Sequence, residues 1–416
     1  MAPAPPVQIP APAVPRPYEE LSKTFVFCNK HEAQWWHSTA PILSRLLISS
    51  GYDVHVQYKY LSLYRELVLP ALGPYVEKEM GGEVIATRWR SGMVLTGLPI
   101  EFSNNLTQAV IRIGVEPIGL HAGTEKDPYN SAAIWRYVKS LARQSLGVDL
   151  QRFQAFASEL VTTPEEENYL IINPGTFNSP CKTQTITAMD LQKSGNILLK
   201  AYFYPQVKSA VTGIPAEKLL INAIRKVDEE KRFDTQLTNL EQYMESRRVM
   251  GTIKGNNSSG PTAFDAVFDK CSFFPYFLSC DLVEPTKSRI KFYAGERQVD
   301  LQVVTDIWTF SGRRNDSDTL AGLGILKVLW SYLPVREGFS TMPASFCEVG
   351  KSAKGMQVPM MFHFNLDGLS PYPEPQMYIC VFGIPSSSVI DGLTRFLDHV
   401  GWKDMAAHYK SNFLCN

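Results

Sequence analysis

Neither sign of charge dominates this chain of 416 residues: Lys and Arg together number 41, Asp and Glu also number 41, and the formal net charge is zero. Nucleic-acid binders carry a basic excess, so no nucleic-acid partner is expected, and any cluster of cations must be local and suited to a small anion. Cysteines are few and scattered, seven in all, without a close pair. Cys271 and Cys280 have no neighbouring His or Cys to complete a zinc site, so no metal centre is expected. An odd cysteine count without a framework reads as the reduced thiols of a cytoplasmic protein. No apolar run approaches the ~20 residues of a membrane span. The proline-rich start of the chain reads as a disordered tail over residues 1–18 rather than a signal peptide. Two further absences bear on chemistry. There is no DDxxD run of the kind that holds a diphosphate through Mg²⁺; the nearest acidic cluster, Asp228-Glu229-Glu230, runs into Lys231-Arg232 and reads as the solvated face of a helix. There is no P-loop either, which leaves phosphoryl transfer from ATP without support.

What is present begins with an ordinary globular composition, 44% apolar and 20% charged. Residues 19–416 read as one domain, the Gly255–Pro261 stretch being a loop too short to divide it. Period-two patterning predicts strand pairs at 97–103 with 109–116, 185–191 with 197–204, 277–283 with 288–293, and 358–366 with 376–381. Helical spacing fills the intervals, including a capping-box start at Thr163-Pro164-Glu165-Glu166 and helices over 301–333. Arg112, Lys200, Lys291 and Tyr378 recur at separations of 88, 91 and 87 residues, an internal period of one αββα unit. Short turns make each pair antiparallel. The expected fold is therefore α+β: an antiparallel β-barrel of repeated αββα units with the helices outside.

The stretch Lys200-Ala-Tyr-Phe-Tyr204 shows why the lumen matters. Alternation puts Lys200, Tyr202 and Tyr204 on one face and Ala201 and Phe203 on the other. Arg289, Lys291 and Tyr293 repeat the arrangement, Gln376 and Tyr378 do so more weakly, and Arg112 appears in the first unit. One Lys-x-Tyr strand is more often structural than functional, since Tyr is a good strand former; several at a matching period favour an anion site. Four cations facing a lumen are costly unless neutralised, so a bound polyanion is expected, and Arg and Lys both suit phosphate. Interleaved phenols present negative π faces that stabilise a cation held against them. Grip on a diphosphate beside an aromatic wall suits ionisation of an allylic diphosphate. Glu101, on the strand partnering Arg112, is placed to orient an N–H and accept a proton. Histidines show no triad or metal spacing, and His363 is a side chain that either face could take. Trp35, Trp36, Trp308 and Trp330 read as helix packing.

Glu101, Arg112, Lys200-x-Tyr202, Arg289-x-Lys291-x-Tyr293 and Gln376-x-Tyr378, with the stretches Trp36–Ser50 and Trp89–Ser103, resemble the fungal indole prenyltransferases of the dimethylallyltryptophan synthase family. The resemblance implies a ten-stranded antiparallel barrel, with a last hairpin still due where this chain ends at Asn416. It also implies metal-independent transfer of dimethylallyl from its diphosphate, with no cofactor and no Mg²⁺ requirement, to the indole C2 of a tryptophan-containing cyclic dipeptide, and it admits a homodimer. The alternatives are another indole acceptor, free tryptophan or a different cyclic dipeptide, or a barrel that binds such ligands with little catalysis. By the same resemblance Glu101 would bind the indole N–H, and Arg112, Lys200, Arg289, Lys291 and Gln376 the diphosphate. Tyr202, Tyr293 and Tyr378 would shield the cation. Met93, Gly114 and Tyr204 would line the acceptor pocket, Gly114 leaving room where indole and allyl meet.

Overall fold

The computed structural model describes residues 16–75, 89–93, 97–105, 108–144, 147–177, 179, 181–253, 272–339, 359–381 and 384–414; most of the predicted tail and the Gly255–Pro261 loop lie outside them. The first helix, Pro17–Thr24, begins inside the predicted tail, with Pro17 at a first-turn position whose N–H has no intrahelical partner to lose.

Eight strands form one antiparallel sheet: β1 (Ile100–Asn105), β2 (Val110–Val115), β3 (Thr185–Leu191), β4 (Ile197–Phe203), β5 (Phe273–Asp281), β6 (Ile290–Glu296), β9 (Met360–Leu366) and β10 (Glu374–Tyr378), hydrogen-bonded in that order. Two short strands, β7 (Gln298–Val299) and β8 (Gly338–Phe339), make a separate ribbon. The sheet curves into a half-barrel, and among the described residues its edges β1 and β10 do not pair with each other. The wall is thus open, where the resemblance implied ten strands.

The predicted strand pairs are all present, with differences that have local causes. Strand β5 starts four residues before the expected 277, because Pro275, which cannot donate to a ladder, sits at a register shift between Pro275 and Phe277 that lets pairing continue past it. Position 358 lies outside the described residues. The expected helical stretch at 301–333 is two helices, Leu301–Trp308 and Ser317–Tyr332, the second capped by the Asp316 carboxylate accepting from Thr319 N at 2.9 Å. The Thr163–Glu166 capping box is formed in both directions. Asp228-Glu229-Glu230 is not on a helix: the Asp228 carboxylate is buried and accepts from Arg232 N at 3.0 Å and Phe233 N at 2.7 Å, closing the turn after Ala216–Val227.

The outward faces of the strands make the core. Ile111, Ile113, Met189, Leu199, Phe203, Leu278, Phe292, Phe362 and Phe364 are all buried with the helices packed on them. Phe203 meets Phe153 and Phe156 of the helix Gln151–Leu160 at ring separations of 5.4 and 5.7 Å. Trp36 is fully buried and donates to Ser22 Oγ at 2.8 Å, and Trp308 donates to Thr319 O at 3.0 Å, so both hold helices together. A strand with this much apolar surface on one face has only its other face free for polar chemistry. Among the described residues no helix is long and apolar enough to cross a membrane.

Candidate active site

Register fixes which side chains share the inner face. Glu101 lies opposite Gly114, Gly114 opposite Ala188, Ala188 opposite Lys200 and Lys200 opposite Asp281. One step along, Arg112 lies opposite Asp190. Across the other half, Tyr202 lies opposite Ser279, Ser279 opposite Lys291, Tyr293 opposite His363, and His363 opposite Gln376. The predicted lumen residues Glu101, Arg112, Lys200, Tyr202, Lys291, Tyr293, Gln376 and Tyr378 therefore face one space. Arg289 immediately precedes β6 and stands at its mouth, and Tyr204 follows the last residue of β4.

Three of the four expected cations are paired with carboxylates, but two aspartates serve all three, so the charge inferred to call for a bound polyanion is reduced and not cancelled. Arg112 bonds Asp190 through both carboxylate oxygens, at 2.5 and 3.0 Å. Lys200, almost fully buried, sits 2.6 Å from Asp281 and 3.4 Å from Asp190. Arg289 reaches the other oxygen of Asp281 at 2.7 Å. Burial works to raise the Asp190 pKa, but bonds from Arg112 and the charge of Lys200 outweigh it and hold the carboxyl below its ordinary range. Lys291 is different. Its ammonium lies 3.0 Å from His363 Nε2 and, among the described residues, contacts no carboxylate; burial, then the charges of Arg289, Lys200 and Arg112, push its pKa down to about 8. His363 is buried, and burial followed by the charges of Lys291 and Arg112 takes it down to about 3, so its ring is neutral.

Rings line the space beside these charges. Phe277 stacks on Tyr293 with centroids 4.2 Å apart and meets Tyr204 at 4.6 Å. Tyr202 is 6.1 Å from Tyr293, which stacks at 6.4 Å on Tyr378. Burial raises the pKa of Tyr202, Tyr204, Tyr293 and Tyr378, so the phenols stay protonated. Glu101 stands at the open edge of the wall with an exposed side chain, and partial desolvation by its surroundings raises its pKa against the pull of Arg112. The room expected above Gly114 is taken up: a Cβ there would stand 3.1 Å from Met93 Sδ and 3.6 Å from Glu101 Cβ. Met93 is held by a buried network around Glu116, whose carboxylate accepts from Trp89 Nε1 and Thr183 Oγ1, both at 2.9 Å. Thr183 in turn accepts from Gly92 N at 2.7 Å, and Ser91 Oγ accepts from Met93 N at 3.1 Å.

Comparison with known proteins is consistent with this geometry. Residues 31–412 match the family model described as tryptophan dimethylallyltransferase. The chain belongs to that family. It is an aromatic prenyltransferase. A relative in Epichloe coenophiala, tryptophan dimethylallyltransferase 2, is 36% identical over 95% of this chain and 83% of its own length. Among solved structures, AnaPT from Neosartorya fischeri is 30% identical with a TM-score of 0.78, covering 96% of this chain and 89% of that one. NotF, solved with brevianamide F and DMSPP, is 27% identical with a TM-score of 0.76 over the same shares.

Within this prenyltransferase, sequence reasoning missed Asp190, Asp281, Phe277 and the lumen placement of His363. The hairpin register carried the signal for the first of these. Once Lys200 is assigned to the inner face, pairing back across the Ser194–Asn196 turn places Ala188 there, and therefore Asp190 two residues on.

Proposed function

We propose that this prenyltransferase moves a dimethylallyl group from dimethylallyl diphosphate to the indole C2 of a tryptophan-containing cyclic dipeptide, cyclo-L-Trp-L-Pro (brevianamide F), without a metal ion. The observation that carries the reading is the join between the two halves of the lumen. Lys291, an ammonium with no carboxylate contact, lies next to the ring wall of Tyr202, Phe277, Tyr293 and Tyr378. The diphosphate lies against Lys291, Arg112, Lys200, Arg289 and Gln376. As the allylic C–O bond breaks, its electrons leave with the diphosphate, whose growing charge the cations stabilise. The rings keep water from the allylic cation. The indole carbon forms the new C–C bond, and the proton shed by the ring leaves through Glu101, whose raised pKa suits proton acceptance.

Two features favour a neutral acceptor. Beside Glu101 an apolar cluster of Ile186, Tyr204, Phe277, Met93 and Tyr276 offers a surface that suits the apolar ring of a cyclic dipeptide. The stretches Trp36–Ser50 and Trp89–Ser103 resemble those of brevianamide F prenyltransferase (tryprostatin B synthase). Free tryptophan is the second reading, favoured by the names of the relatives 35–38% identical to this chain. Incubation with dimethylallyl diphosphate and each acceptor in EDTA tests both. The expected result is a C2-prenylated cyclic dipeptide, lost in Glu101→Gln; product only on free tryptophan, or only with Mg²⁺ restored, overturns the reading.

A further inference from the structure

His363 is a buried lumen side chain to which neither the diphosphate nor the acceptor reading assigns a task. It is 1% exposed, and both ring nitrogens are engaged: Nε2 with Lys291 Nζ at 3.0 Å and Nδ1 with the Tyr378 hydroxyl at 2.9 Å. Its ring also lies 5.1 Å from that of Tyr293. The tautomer follows by elimination. An ammonium only donates, so Nε2 accepts from Lys291. A neutral ring then carries its proton on Nδ1 and donates it to the Tyr378 oxygen. The Tyr378 hydroxyl, accepting from His363, donates its own proton to the Tyr293 hydroxyl, so imidazole and phenols form one chain that ends at Lys291.

We infer that His363 is a positioning residue of the anion site: it holds Lys291 as a hydrogen-bond acceptor that carries no charge, and it turns the Tyr378 hydroxyl toward that of Tyr293, ordering the phenols beside the ligand. The contrast with Lys200 shows what this achieves. A carboxylate partner would fix Lys291 equally well but would cancel its charge, and a missing partner would leave a desolvated ammonium with a strong drive to lose its proton. A neutral imidazole fixes the ammonium and leaves the whole charge for a ligand. The charged and titratable groups facing Lys291 and His363 are Arg112 on β2, Lys200 on β4, Asp281 on β5, Arg289 and Tyr293 on the β6 side, and Tyr378 on β10. Glu374 shares the inner face of β10 opposite Asn365. Three of these groups are cations that oppose the charge on Lys291, so a hydrogen bond supporting it is needed there.

The inference rests on the proposed prenyl diphosphate site, and one binding experiment separates the two. The probe is the unreactive thiolo analogue of dimethylallyl diphosphate, whose own last ionisation lies near about pH 6. Its affinity for the full chain is measured by calorimetry from about pH 6.5 to about 9. For the unaltered protein, affinity is expected to fall as pH rises through about 8, where Lys291 loses its charge; in Lys291→Met it is weaker and loses that fall. His363→Gln, whose amide oxygen reaches the place of Nε2, keeps the fall where it was. His363→Asn, which reaches only the place of Nδ1, moves it down by about one pH unit or more, the loss of a hydrogen bond to a charged group. A fall unmoved in His363→Asn, or moved equally in both variants, overturns the role given to His363 and leaves the diphosphate site standing. No binding at any pH by the unaltered protein overturns both.

Discussion

On the wall from β2 to β5, Arg112 and Lys200 each touch an aspartate, whereas on the wall from β6 to β10 Lys291 touches only an imidazole. Arg289 stands between these cases, paired to Asp281 but with a half-exposed side chain. A buried cation bonded to a carboxylate is rigid and inexpensive to keep charged, but it offers a ligand less net attraction. A buried cation bonded to a neutral group keeps its attraction at a cost in stability. One lumen holds both kinds side by side, one as a fixed frame and one as available charge. Substitution at each position should separate these contributions.

The largest effect is expected at Lys200, which lies between two carboxylates. Lys200→Glu would gather three carboxylates and abolish turnover of dimethylallyl diphosphate; unchanged turnover would sink the proposed site. The milder Lys200→Met leaves Asp190 with Arg112 and Asp281 with only the half-exposed Arg289. It should lower kcat/KM by about a hundredfold or more and stability by about 2 kcal/mol, read in steady-state assays and denaturant unfolding. The next effect is at Lys291. Lys291→Met strands no carboxylate, and it removes an ammonium whose pKa is depressed, a group that opposes folding while charged and does so less as pH rises through about 8 toward its ordinary value. At neutral pH the variant should bind dimethylallyl diphosphate about tenfold or more weakly while melting no lower than the parent. A fall in melting temperature matching that of Lys200→Met would show that the two walls do not differ.

This difference between the walls is the part that the sequence concealed. Arg112, Lys200, Lys291 and Tyr378 are visible because a cation or phenol alternating with Ala, Phe or Ile cannot be mistaken for a core strand, and because the pattern repeats. Phe203 and Phe292 were legible as the outward face for the same reason, and both are buried. Asp190 and Asp281 were not, because each follows an otherwise apolar strand, Thr185–Leu191 or Phe273–Asp281, where a lone Asp reads as a strand end. Their partners come from other strands, Asp190 opposite Arg112 and Asp281 opposite Lys200, so the pairing appears only once register is known. Gly114 shows the same limit: a missing side chain suggested room, but Met93, carried by a distant loop held to Glu116, takes it up. Alternation within a strand reveals which face a residue takes, whereas what it meets there depends on neighbours tens of residues away.

The smallest effect belongs to Arg289, and it is the finest test of the contrast. Its side chain is 54% exposed, and Asp281, its partner at 2.7 Å, retains Lys200 when Arg289 is removed. Water therefore screens the pair and no buried charge is stranded, so Arg289→Gln should change stability by no more than about 1 kcal/mol. Its contribution to diphosphate binding reaches the ligand from the mouth of the lumen, through a partly solvated path, and should weaken affinity by only about three- to tenfold at low salt. Exposed charges lose their reach as the Debye length shortens from about 30 Å at 0.01 M salt to about 8 Å at 0.15 M. The parent and Arg289→Gln affinities should therefore converge as salt is raised, whereas the deficit of Lys291→Met, a less exposed group, should persist further. Titrating the thiolo analogue into all three proteins across that salt range reads the difference directly. If Lys291→Met and Arg289→Gln converge on the parent equally, the uncommitted charge at Lys291 is screened like a surface group, and burial is not what sets the two walls apart.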